Sequence, residues 1–471
     1  MSNRNSSLVM SLTLIATLGG LLFGYDTAVI SGAISSLDHN FIEPRHLEEA
    51  ARNSLSGFTV SSALWGCVLG GLVAGRIGDA LGRRGGLMLA AGMFLICSIG
   101  SAWPELGFGP IGSMGADALF QFNVYRIIGG IGVGMASLLA PLYIAEIAPP
   151  SRRGNLVSYQ QLAIVGGMLL VYFVNRQIGR QGGEEWLHAT GWRLMFASEA
   201  IPSVLFLVLL LFVPDSPRWL VLKGRDAEAR ALLGRLSEPA EADAVLREIE
   251  ASLVVKHEPL MHFGGMVIFV GLMLSVFQQF VGINAVLYYA PEMFRNMGSS
   301  TDSALTQTVI VGVANVAFTV VAMLMVDRWG RKPLLILGSV VMAVAMLALG
   351  ALFQGHNMGM GSLAMVILYI AGFAFSWGPI VWVMLSEIFP NSIKGAAMGL
   401  AVAAQWLANL MVSWSFKVID GSSALNATFN HGFAYYVYGG MSVLAALFVW
   451  RYVPETKGKP LEQIEKVWRK A

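Results

Sequence analysis

Three ionisable side chains stand within segments of the sequence that are otherwise apolar: Asp26, Arg126 and Glu199. Burial favours the neutral form of a carboxyl group, whereas a neighbouring guanidinium favours its ionised form. A carboxyl group balanced between these two effects can take up and release a proton. Because charged groups in apolar segments are costly and usually functional, we interpret the three residues as a proton-coupling site. The alternative is a static ion pair that holds helices together.

Uncharged amides and indole rings form a second polar set in the apolar segments. Amides both donate and accept hydrogen bonds, which suits an uncharged ligand with many hydroxyl groups, and indole faces suit the C–H side of a sugar ring. Taken singly, each amide is equally well explained as a contact between helices. Together they predict a sugar-binding cradle, with Gly282 as a place where a helix can unwind. The set comprises Gln161, Gln278, Gln279, Asn284, Asn315, Trp382, Gln405 and Trp406.

A charged cluster occurs once in each half of the chain. A membrane protein built from two similar halves usually binds its substrate between them. Acidic and basic residues of these clusters could meet across the boundary between the halves, or Glu146 could pair with Arg153, and so lock one conformation. Static bracing is the alternative, but we favour cytoplasmic gating because the pattern repeats. The first cluster contains Asp79, Arg83, Arg84, Glu146 and Arg153, and the second contains Asp327, Arg331, Glu387 and Lys394.

Twelve apolar segments lie between these charged loops. The chain has 471 residues, of which 55% are hydrophobic and only 13% are charged, so an all-α membrane protein is expected. Each segment is close to the ~20 residues that a helix needs to cross the hydrocarbon. The predicted spans are 8–30, 53–77, 85–103, 122–146, 155–177 and 194–213, followed by 262–292, 302–326, 333–354, 362–386, 395–418 and 432–453.

Lysine and arginine are concentrated in the short loops on one side of this predicted bundle, as is typical of cytoplasmic loops. Both chain termini fall on that side. Residues 215–258 interrupt the apolar pattern and contain short amphipathic helices, so they form a cytoplasmic helical linker. We therefore expect two pseudo-symmetric six-helix halves, 1–214 and 259–454, and a cytoplasmic tail at 455–471.

Several other classes of protein are disfavoured. The net charge of +2 is too small to indicate a nucleic-acid partner. The two cysteines, Cys67 and Cys97, lie within apolar spans, so neither a disulfide nor a metal site is expected. The sequence has no P-loop lysine and no nucleophile paired with a base in a span. We expect a monomer in the lipid bilayer, without a cofactor and without enzymatic activity.

The chain resembles the sugar porter family of the major facilitator superfamily over essentially its whole length. The resemblance rests on the repeated Gly-x-x-x-Asp-x-x-Gly-Arg-Arg type motif and on Pro-Asp-Ser-Pro-Arg-Trp-Leu at 214–220. It rests also on the amides of 278–284 and on Pro-Glu-Thr-Lys-Gly at 454–458. Residues 24–32 are most similar to the bacterial D-xylose–proton symporters of that family. The resemblance implies the twelve-helix major facilitator fold, alternating access and a place in the bacterial inner membrane.

The resemblance also implies roles for individual residues. It places the sugar contacts on the amides and indoles named above, with Tyr288 and Phe23 nearby. Asp26 matches the position that is acidic in proton-coupled members, and Arg126 and Glu199 match its charged neighbours. Two features depart from the pattern: Met168 stands where xylose carriers would have glutamine, and the loop 108–121 is short. Met168 leaves the choice between a pentose and a hexose open.

We therefore predict a proton-coupled symporter that imports a monosaccharide, D-xylose in the first instance. A symporter for glucose or galactose is one alternative. A facilitative uniporter with the same sugar site, in which Asp26 is only structural, is another. A membrane sugar sensor is less favoured, because the short segment after Glu455 leaves little room for a signalling module.

Overall fold

Long apolar helices dominate the structure, a computed structural model that describes residues 3–149, 152–236, 239–253, 259–390, 392–457 and Trp468. In these residues, eleven helices are long and apolar enough to cross a membrane. One of them, Glu49–Ala102, has 54 residues and an interruption of its helical backbone at Gly82, so it accounts for two crossings. The predicted twelve-helix fold is therefore confirmed. Most of the tail at 455–471 and the side chain of Asp327 lie outside the described part.

Three of the twelve spans are broken into shorter helices. Spans 1 to 6 are Asn3–Val29, the two parts of Glu49–Ala102, Leu119–Ile147, Arg153–Gly179, and Trp192–Ala197 with Ala200–Leu210. The linker contains Pro217–Leu222, Asp226–Leu236 and Pro239–Leu253. Spans 7 to 12 are Gly265–Phe280 with Ile283–Tyr288 and Ala290–Asn296, Thr301–Trp329, Arg331–Gln354, Met360–Ala374 with Trp377–Ile388, Lys394–Asp420, and Phe433–Tyr452.

The two halves meet along two pairs of spans, span 2 with span 11 and span 5 with span 8. Within the first half, span 2 packs closely against span 4 because glycines face each other there. A Cβ on Gly66 would overlap the carbonyl oxygen of Ile127, and one on Gly130 would overlap that of Ala63. Small residues allow helix backbones to approach in a membrane. These glycines therefore allow spans 2 and 4 to pack closely.

The end of the bundle that carries the linker, called the linker face below, shows a repeated turn. Spans 2 and 3 join at Gly82 (φ 84°), and spans 8 and 9 join at Gly330 (φ 93°). These φ values favour glycine. At each turn the glycine lies beside the carboxylate of a residue that comes just after that half in the sequence. This residue is Asp215 at the first turn and Glu455 at the second. Glu455 accepts hydrogen bonds of 3.2 and 3.0 Å from the first two backbone N–H groups of span 9, and so caps that helix.

We predict that Gly330→Ala lowers the free energy of unfolding by about 1–3 kcal/mol, because alanine at this φ is strained. Its Cβ would also lie 2.8 Å from a carboxylate oxygen of Glu455. Thermal unfolding in detergent measures the change. Gly399→Ala in span 11 is the control, since its Cβ would meet nothing within 4 Å. Equal melting temperatures for the two variants would contradict the assignment of strain to the turn.

Candidate functional site

An open cavity lies between the two halves and encloses about 680 Å³ of space free of protein atoms, including space continuous with solvent. None of its lining residues is charged. Tyr288, also predicted to lie near the sugar, stands behind the wall, where its hydroxyl is 3.5 Å from the amide nitrogen of the lining residue Asn409. The other nine predicted sugar-site residues all line the cavity: Phe23, Gln161, Gln278, Gln279, Asn284, Asn315, Trp382, Gln405 and Trp406.

Four of these amides are joined in one hydrogen-bonded chain. The amide nitrogens of Gln405 and Gln279 donate to Gln278 Oε1, at 2.5 and 3.3 Å. Asn284 in turn donates to Gln279 Oε1 at 2.7 Å. Gln278 is itself held by a 3.0 Å hydrogen bond from its Nε2 to the carbonyl of Trp377. Gln405 Oε1 is buried and has no partner in the described residues, so its capacity to accept a hydrogen bond is unused in this structure.

The break in span 7 positions this chain of amides. Gly282 has φ 93°, which allows the helix to stop after Gln279 and to restart before Asn284. Any side chain at 282 would collide with the ring of Tyr438. The Tyr369 hydroxyl donates to the carbonyl of Val281 at 2.8 Å and so satisfies a backbone group at the interruption. The predicted unwinding at Gly282 is confirmed.

Two polar residues of the cavity wall, Asn409 and Thr319, were not among the predicted site residues. Asn409 lies four residues after Gln405, and Thr319 lies four residues after Asn315, so each shares a helix face with a residue that was found. That spacing was the available signal. The wall also includes an apolar strip on span 5, formed by Ile164, Val165 and Met168.

The three predicted proton-coupling residues lie together beside this cavity. Arg126 Nη1 donates to Asp26 Oδ1 at 2.7 Å, and its Nη2 donates to the backbone carbonyl of the same residue at 2.8 Å. The side chains of Arg126 and Asp26 are 1% and 0% exposed. The guanidinium also lies 5.4 Å from the centre of the Phe196 ring. The pair is thus isolated from water on every side.

Glu199 adds a second buried carboxyl group to the cluster. It is 0% exposed, and neither of its carboxyl oxygens has a hydrogen-bond partner in the described structure. It lies at the break between the two helices of span 6. Two carboxylates and one guanidinium would leave one uncompensated negative charge in a dry site, which is costly. One bound proton removes that charge.

A metal ion is a poorer fit to the same cluster. Ligand atoms of Asp26, Cys97 and Glu199 lie within 4.8 Å of one another, a spacing that a cation could use. The guanidinium of Arg126 already contacts Asp26, however, and would repel a second cation at that carboxylate. The contact between Arg126 and Asp26 therefore disfavours a metal ion at this cluster.

Span 1 connects the proton-coupling cluster to the cavity. Phe23, which lines the cavity, is three residues before Asp26, and its ring lies 5.4 Å from that of Trp406 in the second half. Span 1 also packs tightly against span 5, since a Cβ on Gly24 would overlap the carbonyl oxygen of Ile164. A movement of span 1 would therefore reach the cavity wall and Asp26 together.

The cavity is closed toward the bundle end away from the linker, called the far face below. Hydrogen bonds and ion pairs join the two halves between the cavity and this face. The contacts are Tyr172–Leu287, Arg176–Thr306, Arg180–Asp302, Glu184–Thr301, Asn53–Gly421, Ser54–Trp414, Glu49–Ser423 and Asp38–Lys417.

Lys417 is the centre of the far-face contacts. Its ammonium group lies 3.1 Å from Asp38 of the first half and also pairs with Glu292 of the second half. The lysine side chain is only 10% exposed. Nearby, His431 lies 3.0 Å from Asp420, and this hydrogen bond raises the pKa of His431. Lys417 thus joins the two halves at the far face through charged groups that are largely shielded from solvent.

The repeated charged clusters pair within each half. Arg83 contacts Glu146 at 3.0 Å and Asp79 at 2.9 Å, and Arg331 contacts Glu387 at 3.0 Å. Each acid also accepts a hydrogen bond from the hydroxyl group of a residue that comes just after its half in the sequence. Ser216 donates to Glu146, and Thr456 donates to Glu387. Burial, partly offset by Arg84, raises the pKa of Asp215 beside the first cluster. The sequence repeat therefore corresponds to a structural repeat.

The pairing differs from the prediction in two respects. The charged pairs of the two clusters that the described residues form, Arg83 with Glu146 and Asp79 and Arg331 with Glu387, each join residues of one half. Glu146 pairs with Arg83 rather than with Arg153, since Arg83 lies at the turn beside it. Arg84 donates to the carbonyls of Leu210 and Leu211. Arg153 and Lys394 form no hydrogen bond or ion pair within the described chain.

Comparisons with known proteins agree with this geometry. The sequence profile of the family described as "Sugar (and other) transporter" matches residues 12–468. The D-xylose-proton symporter of Escherichia coli K12 is 54% identical over 98% of this chain and 96% of its own. The glucose facilitated diffusion protein of Zymomonas mobilis is 50% identical over 99% of both chains.

Solved structures show the same architecture. The inward open conformation of the E. coli xylose transporter XylE superposes with a TM-score of 0.88 at 52% identity, covering 98% of this chain and 100% of the other. XylE bound to 6-bromo-6-deoxy-D-glucose gives a TM-score of 0.85 at 53% identity over 98% and 100% of the two chains. The chain therefore belongs to the sugar transporter family of the major facilitator superfamily and is a multi-pass membrane transporter rather than an enzyme.

Proposed function

We propose that this protein imports D-xylose together with a proton by alternating access. The observation that carries the proposal is the buried cluster of Asp26, Arg126 and Glu199, one helical turn from an uncharged, amide-lined cavity. The cavity supplies the sugar site, the cluster supplies the proton site, and span 1 belongs to both. The proton-symporting relative at 54% identity supports this combination.

The sugar site follows from the lining residues. The bonded amides hold one another in fixed orientations, so little conformational entropy is lost when a sugar binds. Gln405 Oε1 accepts from a sugar hydroxyl, while the rings of Trp382 and Trp406 offer apolar faces. Because none of the lining residues is charged, a neutral monosaccharide fits better than a sugar phosphate.

The proton site follows from the charge balance. With Arg126 charged and both carboxyl groups ionised, the buried cluster carries a net negative charge, and one proton neutralises it. We assign the bound proton to Asp26 and Glu199 jointly, with Arg126 as their counter-ion. Proton binding then removes the charge that opposes burial and permits the change of access.

The orientation of the protein in the membrane is inferred from the charges of its short loops. The linker face carries arginines of both charged clusters, and basic short loops face the cytoplasm. We therefore place the linker and both termini in the cytoplasm of a bacterial cell, with two six-helix halves at 1–214 and 259–454. In this structure the far face is closed, so the cavity faces the cytoplasm. We propose that the two charged clusters brace each half while the cavity faces the cytoplasm. When the halves approach each other at the linker face, the same clusters would act as the cytoplasmic gate.

A second candidate function is facilitated transport of glucose. It is favoured by the relative from Z. mobilis and by the apolar strip that contains Met168 in the cavity wall. Counterflow of labelled D-xylose and D-glucose into the same proteoliposomes separates the substrates. Accumulation driven by a proton gradient separates symport from facilitation.

We predict that Asp26→Asn abolishes accumulation of D-xylose in proteoliposomes with an inward proton gradient but leaves counterflow. The asparagine cannot carry the proton, while the sugar cavity is unchanged. Asp117→Asn, on a loop where the carboxylate is 87% exposed, should accumulate sugar as the wild type does. If the wild type only equilibrates xylose at any gradient, the protein is a uniporter and the proton proposal is wrong.

We predict that Gln405→Ala raises the dissociation constant for D-xylose about tenfold, because the bonded amide chain loses a member and the sugar an acceptor. Isothermal titration calorimetry in detergent gives the affinity directly. Gln354→Ala serves as the control, since Gln354 is a partly exposed amide on the far face and not part of the cavity. An unchanged affinity in Gln405→Ala would move the sugar site elsewhere.

We predict that Lys417→Met shifts the protein toward an open far face. Loss of the lysine leaves Asp38 and Glu292, which are 23% and 17% exposed, without their cation, and this destabilises the closed face by about 1–3 kcal/mol. With spin labels attached to cysteines introduced by Leu47→Cys in the first half and Ala424→Cys in the second, the distance between the labels should be longer in Lys417→Met than in the protein with Lys417.

The control for this experiment is Arg180→Met. It removes a contact between the same halves, but Arg180 and Asp302 are 50% and 56% exposed, so the expected effect is below about 1 kcal/mol. Identical distance distributions in the two variants would show that Lys417 does not hold the far face closed.

A further inference from the structure

The thiol of Cys97 takes part in the buried charge cluster. Cys97 lies on span 3, is fully buried and forms no disulfide. Its sulfur is 3.4 Å from Asp26 Oδ1, to which it donates, and 3.6 Å from Arg126 Nη1. The same carboxylate oxygen accepts the 2.7 Å hydrogen bond from Arg126. Oδ1 therefore has two side-chain donors, a guanidinium and a thiol.

The surrounding backbone is shaped to allow this contact. Gly129 of span 4 faces the sulfur, and a Cβ at that position would collide with Cys97 and lie 3.2 Å from Asp26 Oδ1. Only glycine at 129 lets span 3 bring the thiol to the carboxylate. The second cysteine, Cys67, is equally buried but makes no hydrogen bond to Asp26 in the described structure.

The thiol also has a second partner. Ser101, one turn further along the same helix, places its hydroxyl 3.6 Å from the sulfur. The S–H bond can therefore turn toward Asp26 when that carboxylate is ionised and toward Ser101 when it is protonated. The thiol keeps its own proton in both states, and the transported proton stays on the carboxyl groups.

We propose that Cys97 is a positioning residue of the proton site, whose thiol stabilises the ionised form of Asp26 and so helps to set the pH at which this site releases its proton. The proposal rests on the proton coupling proposed above. Hydrogen bonds to an ionised acceptor favour its charged form. The titratable and charged groups that face Asp26 are Arg126 on span 4, Cys67 on span 2, Cys97 on span 3, Glu199 on span 6 and Tyr288 on span 7.

The test is the pH dependence of D-xylose uptake into proteoliposomes at equal pH on both sides, driven by a membrane potential. In Cys97→Ala the ionised carboxylate loses a donor, so the site holds its proton to higher pH. The pH midpoint of uptake should rise by about half a pH unit. The KM for xylose should not change, because Cys97 does not line the cavity.

Two further variants make the test specific. Cys97→Ser retains a donor of similar size, so its midpoint should equal that of the wild type or lie below it. Cys67→Ala removes a buried thiol that does not contact Asp26 and should leave the midpoint unchanged. If Cys97→Ala keeps the wild-type midpoint, or if Cys67→Ala shifts it equally, the proposed role of Cys97 is wrong.

The same assay separates this proposal from the function on which it rests. Asp26→Asn is run beside the cysteine variants. If that variant still accumulates xylose in a proton gradient, the proton site itself is misplaced. If it loses accumulation while Cys97→Ala behaves as the wild type, the proton site stands and only the role of Cys97 fails. Should Cys97→Ala insert poorly, Cys97→Ser still tests the direction of the shift.

Discussion

A membrane offers the backbone no water, so every N–H and C=O group in a span needs a partner within the protein. A span can therefore break only where other protein groups surround the gap. Three spans break in this structure, near Glu199 in span 6, at Gly282 in span 7 and between Ala374 and Trp377 in span 10. All three breaks lie at the proton-coupling cluster or at the cavity. The functional sites are thus built where the regular helix is interrupted.

Side chains at and near the cavity also donate hydrogen bonds to backbone carbonyl groups at the helix breaks. The Tyr369 hydroxyl binds the carbonyl of Val281 beside Gly282, and the Gln278 amide binds the carbonyl of Trp377 at the break in span 10. Gln278 then fixes Gln405 and, through Gln279, Asn284. The orientation of the cradle therefore depends on the helix breaks. In the proposed sugar site, a cradle whose amides fix one another would discriminate between sugars by the positions of their hydroxyl groups.

The distribution of charged contacts explains how the halves can move as units. On the linker face, the pairs of Arg83 with Glu146 and of Arg331 with Glu387 hold together the spans of a single half. On the far face, Lys417 joins Asp38 of one half to Glu292 of the other. In the proposed transport cycle, opening the far face would break the contact of Lys417 with Asp38, whereas the linker-face pairs could persist. The pairs within each half would then stiffen the moving bodies.

The sequence by itself determined the twelve-helix fold, and it predicted the buried charged residues and most of the polar residues that line the cavity. These follow from residue type, since a polar side chain in a ~20-residue apolar segment is conspicuous and costly. The motifs at 214–220 and 278–284 identified the family as well. Asn409 and Thr319 were within reach of the same reasoning, through their four-residue spacing from Gln405 and Asn315.

Only the tertiary structure decided which of these residues meet. Cys97 and Asp26 are far apart in the chain, and neither residue type nor spacing indicates that spans 1, 3 and 4 bring the thiol to the carboxylate. The choice of Arg83 over Arg153 as the partner of Glu146, and the link from Lys417 to Asp38, depend likewise on how the helices pack. Local sequence sets where a helix crosses the membrane and which residues it carries. The contacts between helices arise from packing over the whole bundle, which no short segment encodes.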